Sequence, residues 1–280
     1  MKTCDLHTHS YYSDGTLSPT QLIAGAEAAG LSAIVLSDHN TVAGLPEFIA
    51  AGAKSPVEAV PGVEFSTEYE GTELHILGLF IQPSHYTRVE ALLGEFLQRK
   101  EESNRRLIHK LNEQGMALSY DAIAQSAAGR INRAVIGAEM VRLGYCQSVK
   151  EAFDLWLSQS KGYYVPPLRP DAFQVIRFIK SIGAVAVLAH PFLNLDEQRL
   201  CAFLQRAVPA GLDGMEVYYS RYSPETTRQA ETVAERCGLL ASGGSDFHGG
   251  NKPDISLGTG TGELCIPLTL LTALRQRIGG

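Results

Sequence analysis

The stretch "AVAVLAHP", Ala184 to Pro191, is a run of six apolar residues that stops at a histidine and a proline. A run this short, carrying β-branched residues and closed by proline, reads as a strand buried on both faces. The same grammar recurs along the chain. "AIVLSDHN" (Ala33 to Asn40), "VEAVPGVEFST" (Val57 to Thr67), "ELHILGLFI" (Glu73 to Ile81), "GMEVYYS" (Gly214 to Ser220) and "LLASGGSDFH" (Leu239 to His248) are apolar runs bounded by polar residues, Gly or Pro. "CDLHTHS" (Cys4 to Ser10) supplies a first strand. Helical patterns separate many of these runs. Ser18 is a helix N-cap followed by Pro19 at the first helical position and Gln21 at the third, and Gly30 closes that helix. Residues 171–183 and 224–238 repeat the helix-then-strand order, each ending in a glycine. Strand alternating with helix predicts a mainly parallel sheet or barrel.

One region breaks the rhythm. From 86 to 164 no buried strand is legible. Val89, Leu92, Leu93, Phe96 and Leu97 fall at helical spacing before a strongly charged face, and 133–144 and 148–157 also read as helical. The expected organisation is therefore a barrel built from 1–85 and 165–280, with a helical insertion, 86–164, between its fourth and fifth strands. The chain is long for one compact core but suits a single α/β barrel with an insertion.

Composition narrows the function classes. The 280 residues are 45% hydrophobic, with 24 basic and 30 acidic side chains and a net charge of -6. That balance is not built to coat nucleic acid, so no stable binding of duplex nucleic acid is expected. No stretch approaches the ~20 apolar residues that span a bilayer, and the start of the chain turns polar at once, unlike a secretory leader. Five scattered cysteines without a C-x-x-C predict free thiols. No membrane association and a cytoplasmic location are the expectation.

The placement of polar residues carries the chemistry. His39, Glu64, His190, Asp246 and His248 each follow an apolar run, and in parallel α/β architectures the C-terminal strand ends hold the active site. His7 and His9 share one face of the first strand with Asp5. His75 stands apart, near the start of its run. Six of the eight histidines thus sit at strand edges, while His85 and His109 fall in a turn and on a charged helix. Burying so many polar groups independently would be costly, and shared cations explain them together. Imidazoles with carboxylates suit Zn, Mn or Fe rather than calcium, and an open His and Asp/Glu set is the profile of a catalytic site.

In order, "DLHTHSYYSDG", "LSDHN", "GVEFS", "LHILG", "AHP" and "GSDFH" resemble the motifs of the PHP (polymerase and histidinol phosphatase) family, over roughly 3–85 and 165–250. The likeness is to its stand-alone phosphoesterases with a helical insertion, including those acting on nucleoside 3′,5′-bisphosphates and RNA 5′ ends. The resemblance implies a distorted (β/α)7 barrel with two to three divalent ions at one end. It implies that His7, His9, Glu64 and Asp246 hold one metal. Glu64 would bridge to a second with His75 and His190, and Asp14, His39 and His248 would hold a third. Asp5 and Asp38 would orient imidazoles by accepting their remaining N–H groups.

The implied reaction is hydrolysis of a phosphate ester of a small molecule, most plainly a nucleotide or an oligonucleotide end. Metals ~3.5–4 Å apart would activate water and clamp the phosphoryl oxygens. Protonation of the leaving group would fall to a metal-bound water, to His190 or to His248. Arg130, Arg133, Lys161 and Arg221 are the expected phosphate-binding cations, the insertion acting as a lid whose arginines choose the substrate. One departure is visible. Related phosphoesterases carry R-x-H in the insertion, whereas "RINRAVIG" has Arg133 but Val135 at the histidine position. That leaves a phosphatase for another metabolite, such as histidinol phosphate, as an alternative. A non-catalytic metal-binding module is the third reading, opposed by the intact ligand set.

Overall fold

The computed structural model of the chain describes residues 2–126 and 131–279. They divide into two compact units, Met1–Ala91 with Arg169–Gly280, and Leu92–Leu168. The first unit is built on one mixed sheet of β1 (Thr3–Thr8), β2 (Ala33–Leu36), β3 (Glu58–Tyr69), β4 (Thr72–Leu79), β5 (Val185–Ala189), β6 (Gly214–Tyr219), β7 (Leu240–Gly244) and β8 (Ile266–Pro267). Their order is β7-β6-β5-β4-β3-β2-β1-β8. Beyond the end of β7 the sheet turns back onto β1: Asp246 N–H donates to His7 O, and His9 N–H to Phe247 O. Seven strands thereby nearly close into a barrel. The two-residue β8, too short to read from sequence, pairs antiparallel with the start of β1.

The α-helices among the described residues are α1 (Pro19–Ala28), α2 (Leu45–Gly52), α3 (Tyr86–Glu113), α4 (Tyr120–Ser126), α5 (Arg133–Arg142), α6 (Val149–Ala152), α7 (Ala172–Ser181), α8 (Glu197–Ala207), α9 (Pro224–Arg236) and α10 (Leu268–Arg275), with short 3-10 and π turns between some of them. The start of α1 follows its sequence signature. Ser18 Oγ accepts from Gln21 N–H at 3.0 Å, and the Gln21 side chain accepts from Ser18 N–H at 2.8 Å.

The sheet is not uniformly parallel. β1, β2 and β3 run parallel, as do β5, β6 and β7. β4 runs antiparallel to both of its neighbours. β3 and β4 are joined by the turn at Glu70 and Gly71, both at positive φ, and a connection this short can only return antiparallel.

Alternation along the strands fills the barrel. Cys4 and Leu6 of β1, Ala33 and Val35 of β2, Leu77 and Leu79 of β4, and Val185 and Val187 of β5 meet in one buried cluster. Leu271 and Leu274 of α10 pack into the same cluster beside the strand starts. The polar residues are left at the other end of the strands.

The second unit is helical and has its own core around Leu107, Leu111, Ile136, Met140 and Leu157. No strand occurs in it among the described residues, and no described helix in either unit is long and apolar enough to cross a membrane.

Candidate metal centre

Each strand end delivers its polar residue to one place. His7 lies on β1 and His9 just beyond it, His39 follows β2, Glu64 lies within β3, His190 follows β5, and Asp246 and His248 follow β7. The turn after β1 brings Asp14. His75, out of place by sequence, is explained by the direction of β4. In an antiparallel strand the start lies at the end where its neighbours finish, and β4 pairs His75 with Ala189, the residue before His190. His190 and Asp246, at φ 30° and 55°, and Asn40 beside His39, at φ 51°, hold left-handed backbone at the strand ends. Such strain concentrates at functional sites and is held by surrounding structure.

Glu64 is the hub. Its Oε2 lies 3.1 Å from His7 Nε2, 3.3 Å from His9 Nε2 and 3.0 Å from His39 Nδ1. Its Oε1 lies 2.7 Å from His75 Nδ1 and 3.1 Å from His190 Nε2. Asp246 Oδ1 stands 3.2 Å from His9 Nε2, and Asp14 Oδ1 stands 3.2 Å from His248 Nε2. Donor atoms within 4.8 Å of one another form four sets: His9, Asp14, His39 and His248; His7, His9 and Asp246; His7, Glu64 and His190; His39, Glu64 and His75. All nine anticipated side chains are therefore together. The sets divide them differently from the expected grouping, with His9 beside Asp14 and His39 beside Glu64.

The donor set fits cations. Glu64 Oε2, Asp14 Oδ1, His39 Nδ1 and His190 Nδ1 are buried without a hydrogen-bond partner, although Glu64 and His39 approach closely. The close approach of Glu64 Oε2 and His39 Nδ1, at 3.0 Å, lacks hydrogen-bond alignment. His7 Nε2 and His9 Nε2 face each other at 3.0 Å. Unsatisfied buried acceptors are costly, and a shared cation removes the cost.

Electrostatics agree. Burial alone would raise the Glu64 carboxyl, but His39, His7 and His75 hold it well below the usual carboxylate range. Burial likewise opposes ionisation of Asp246, yet His9 and His7 hold it well below. Burial pushes His39 down to about 3 despite Glu64 and Asp14. His75 is drawn up to about 10, Glu64 overcoming burial, and His9 to about 9, with Asp246 and Glu64 doing the same. The carboxylates thus demand positive charge, which cations or protons can supply.

Asp5 and Asp38 act differently from expectation. Neither carboxylate reaches an imidazole. Asp5 accepts from Ser245 N–H and Oγ–H and from Gly258 N–H; Asp38 accepts from Ser10 N–H and Oγ–H and from Ser13 Oγ–H. They brace the backbone turns next to Asp246 and His9.

Outside the nine, Glu73 Oε1 lies 3.3 Å from His75 Nε2, and Glu216 of β6 lies 3.0 Å from His7 Nδ1. Its sequence signal was a lone charge inside the apolar run "GMEVYYS". Lys252 and Tyr219 are further additions: Lys252 Nζ and Tyr219 Oη donate to Asp246 Oδ2 at 2.6 and 2.9 Å. Nothing in the sequence marked Lys252, a cation in a polar loop.

A cleft of about 370 Å³ opens onto the centre, lined by His39, His75, His190, Asp246, Arg221 and Lys252 among others. Arg221 lines it and pairs with Asp254 at 3.0 Å. The other expected cations belong to the second unit. Arg133 stacks over Tyr164, 4.2 Å from the ring centroid, and donates to Leu157 O. Lys161 is exposed in a turn, and Arg130 lies outside the described residues. Val135 is the third residue of α5: its N–H donates to Asn132 Oδ1 and its side chain packs on the core of its own unit.

The PHP domain profile matches residues 5–165. The chain belongs to the PHP family. It is 33% identical over 248 residues to a 5′-3′ exoribonuclease of Haemophilus influenzae, covering 88% of this chain and 90% of that one. It is 31% identical over 254 residues to a 3′,5′-nucleoside bisphosphate phosphatase of Chromobacterium violaceum, covering 89% and 88%. A solved structure from Bifidobacterium adolescentis, classed as a metal-dependent phosphoesterase, superposes with a TM-score of 0.85 at 27% identity, over 99% of this chain and 96% of that one. This PHP protein is a metal-dependent hydrolase of phosphate esters.

Proposed function

We propose that the nine side chains around Glu64 hold two to three divalent ions, of Mn, Fe or Zn, and that the chain hydrolyses a phosphate ester of a nucleotide. The substrate is a nucleoside 3′,5′-bisphosphate or the 5′ end of a short RNA, the chemistry common to its two relatives. The observation that carries the reading is the gathering of five imidazole nitrogens within 3.3 Å of the buried Glu64 carboxylate, in overlapping sets of metal-ligating atoms. Divalent ions bound there supply a water of lowered pKa and neutralise phosphoryl oxygens.

The chain's own residues do the rest. Arg221 at the cleft presents a guanidinium that matches a phosphate in two hydrogen bonds. Lys252 adds a positive charge while holding Asp246 Oδ2, so that Oδ1 stays turned to His9. His190 lines the cleft, and we assign it, ahead of His248, to protonating the leaving oxygen. The five thiols are free, which suits the reducing interior of a cell and the cytoplasm in particular.

The experiment is metal analysis of the purified chain, followed by phosphate release from a nucleoside 3′,5′-bisphosphate, a 5′-phosphorylated oligoribonucleotide and histidinol phosphate. Release from either nucleotide substrate supports the proposal. Release from histidinol phosphate alone assigns another metabolite, and bound metal without any release makes the barrel a binding module.

A further inference from the structure

We propose that Glu216 is a positioning residue of the centre, one carboxylate that sets both the ring tautomer of His7 and the backbone of His190. It rests on the reading that these side chains hold divalent ions. Glu216 is fully buried in β6. Its Oε1 lies 3.0 Å from His7 Nδ1, and its Oε2 accepts from the His190 backbone N–H at 2.7 Å. Both oxygens are thus occupied, which a buried carboxylate requires.

The consequence for His7 follows from proton counting. A neutral imidazole has one N–H. As a carboxylate, Glu216 can only accept, so His7 spends its N–H on Nδ1 and leaves a lone pair on Nε2. That nitrogen faces Glu64 Oε2 at 3.1 Å and Asp246 Oδ1 at 3.7 Å, the side on which a cation is needed. The consequence for His190 is mechanical. Its backbone sits at φ 30°, a conformation disfavoured for a residue with a Cβ, and the bond to Glu216 anchors its N–H there. With that backbone fixed, His190 Nε2 reaches Glu64 Oε1 at 3.1 Å. Two ligands on separate strands are therefore registered by a third strand between β5 and β7.

Glu216→Gln separates this role from packing, since the shape is kept but one oxygen becomes an NH₂. If the amide oxygen keeps His190, the NH₂ meets His7 Nδ1 and forces the N–H onto Nε2, into the cage. If the oxygen keeps His7, the NH₂ opposes the His190 N–H. Either arrangement spoils one ligand.

The test is Zn²⁺ titration by calorimetry of wild type and Glu216→Gln, with circular dichroism of both. The expected result is about 10–100-fold weaker Zn²⁺ binding in a variant with unchanged secondary structure. Wild-type affinity in the variant overturns the inference alone; a wild type that binds no Zn²⁺ overturns the reading beneath it. Should the variant not fold, ¹⁵N NMR of the Zn²⁺-loaded wild type decides. A His7 ring protonated at Nδ1 supports the inference, and one protonated at Nε2 overturns it.

Discussion

Glu64 shows how much one residue can carry: five imidazole nitrogens lie within 3.3 Å of its two oxygens. Alanine there removes the charge that draws the rings together and the side chain that links the His7–His190 donor set to the His39–His75 set. Glu64→Ala should lower bound metal and cut phosphate release by about 100-fold or more, since even supporting contacts cost ~10–100-fold; elemental analysis and a phosphate assay check this, and near-normal turnover would refute the hub. Cys4, three residues before His7, behaves oppositely. Burial, aided by Asp5, pushes its thiol up to about 12, so it stays protonated and inert near neutrality. Because the folded pKa is raised, ionisation favours the unfolded chain, and this group costs stability only above its ordinary pKa of about 8.5. At pH 8 a thiol reagent should modify exposed Cys265 rapidly and Cys4 only after urea; equal rates would contradict the burial.

Elements differ in how openly the sequence states them. The first helix is legible because its boundary is chemical: Ser18, Pro19 and Gln21 cap it with local hydrogen bonds that need no other part of the chain. Ser18→Ala should therefore cost about 1 kcal/mol, read as a shift in the urea midpoint, with activity per folded molecule unchanged. A shift near zero would mean that tertiary packing of Leu22 and Ile23 alone holds the helix. The fourth strand is legible as a strand but not in direction. Apolar alternation has no arrow, and His75 looked misplaced until the pairing with β3 and β5 turned the strand round. Val135 is similar in kind: its position in the motif was visible, but that it packs against the second unit's core was not.

At the scale of the molecule, the barrel brings together residues up to 241 positions apart, from His7 to His248, at one end of a sheet. Ions that bind only the folded barrel must stabilise it, by ~2.7 kcal/mol at a free concentration 100 times the dissociation constant. Chelation should accordingly lower the thermal midpoint, and added Mn²⁺ or Zn²⁺ should restore it. An unchanged midpoint after complete metal removal would count against the centre.

The sequence by itself determined the strand runs, the helical insertion and eight polar side chains at the strand edges, because burial periodicity and residue chemistry are local properties; Asp14, in a turn, entered only through the family resemblance. Tertiary structure alone decided the direction of β4, the sharing of His9 and His39 between neighbouring donor sets, and the partners of Asp5, Asp38 and Glu216. Those depend on which strands lie side by side, and a hydrogen bond of 3 Å is set by that adjacency rather than by spacing along the chain. Glu216 was written in the sequence as a lone charge in an apolar strand; only the closed sheet showed that it faces His7 and His190.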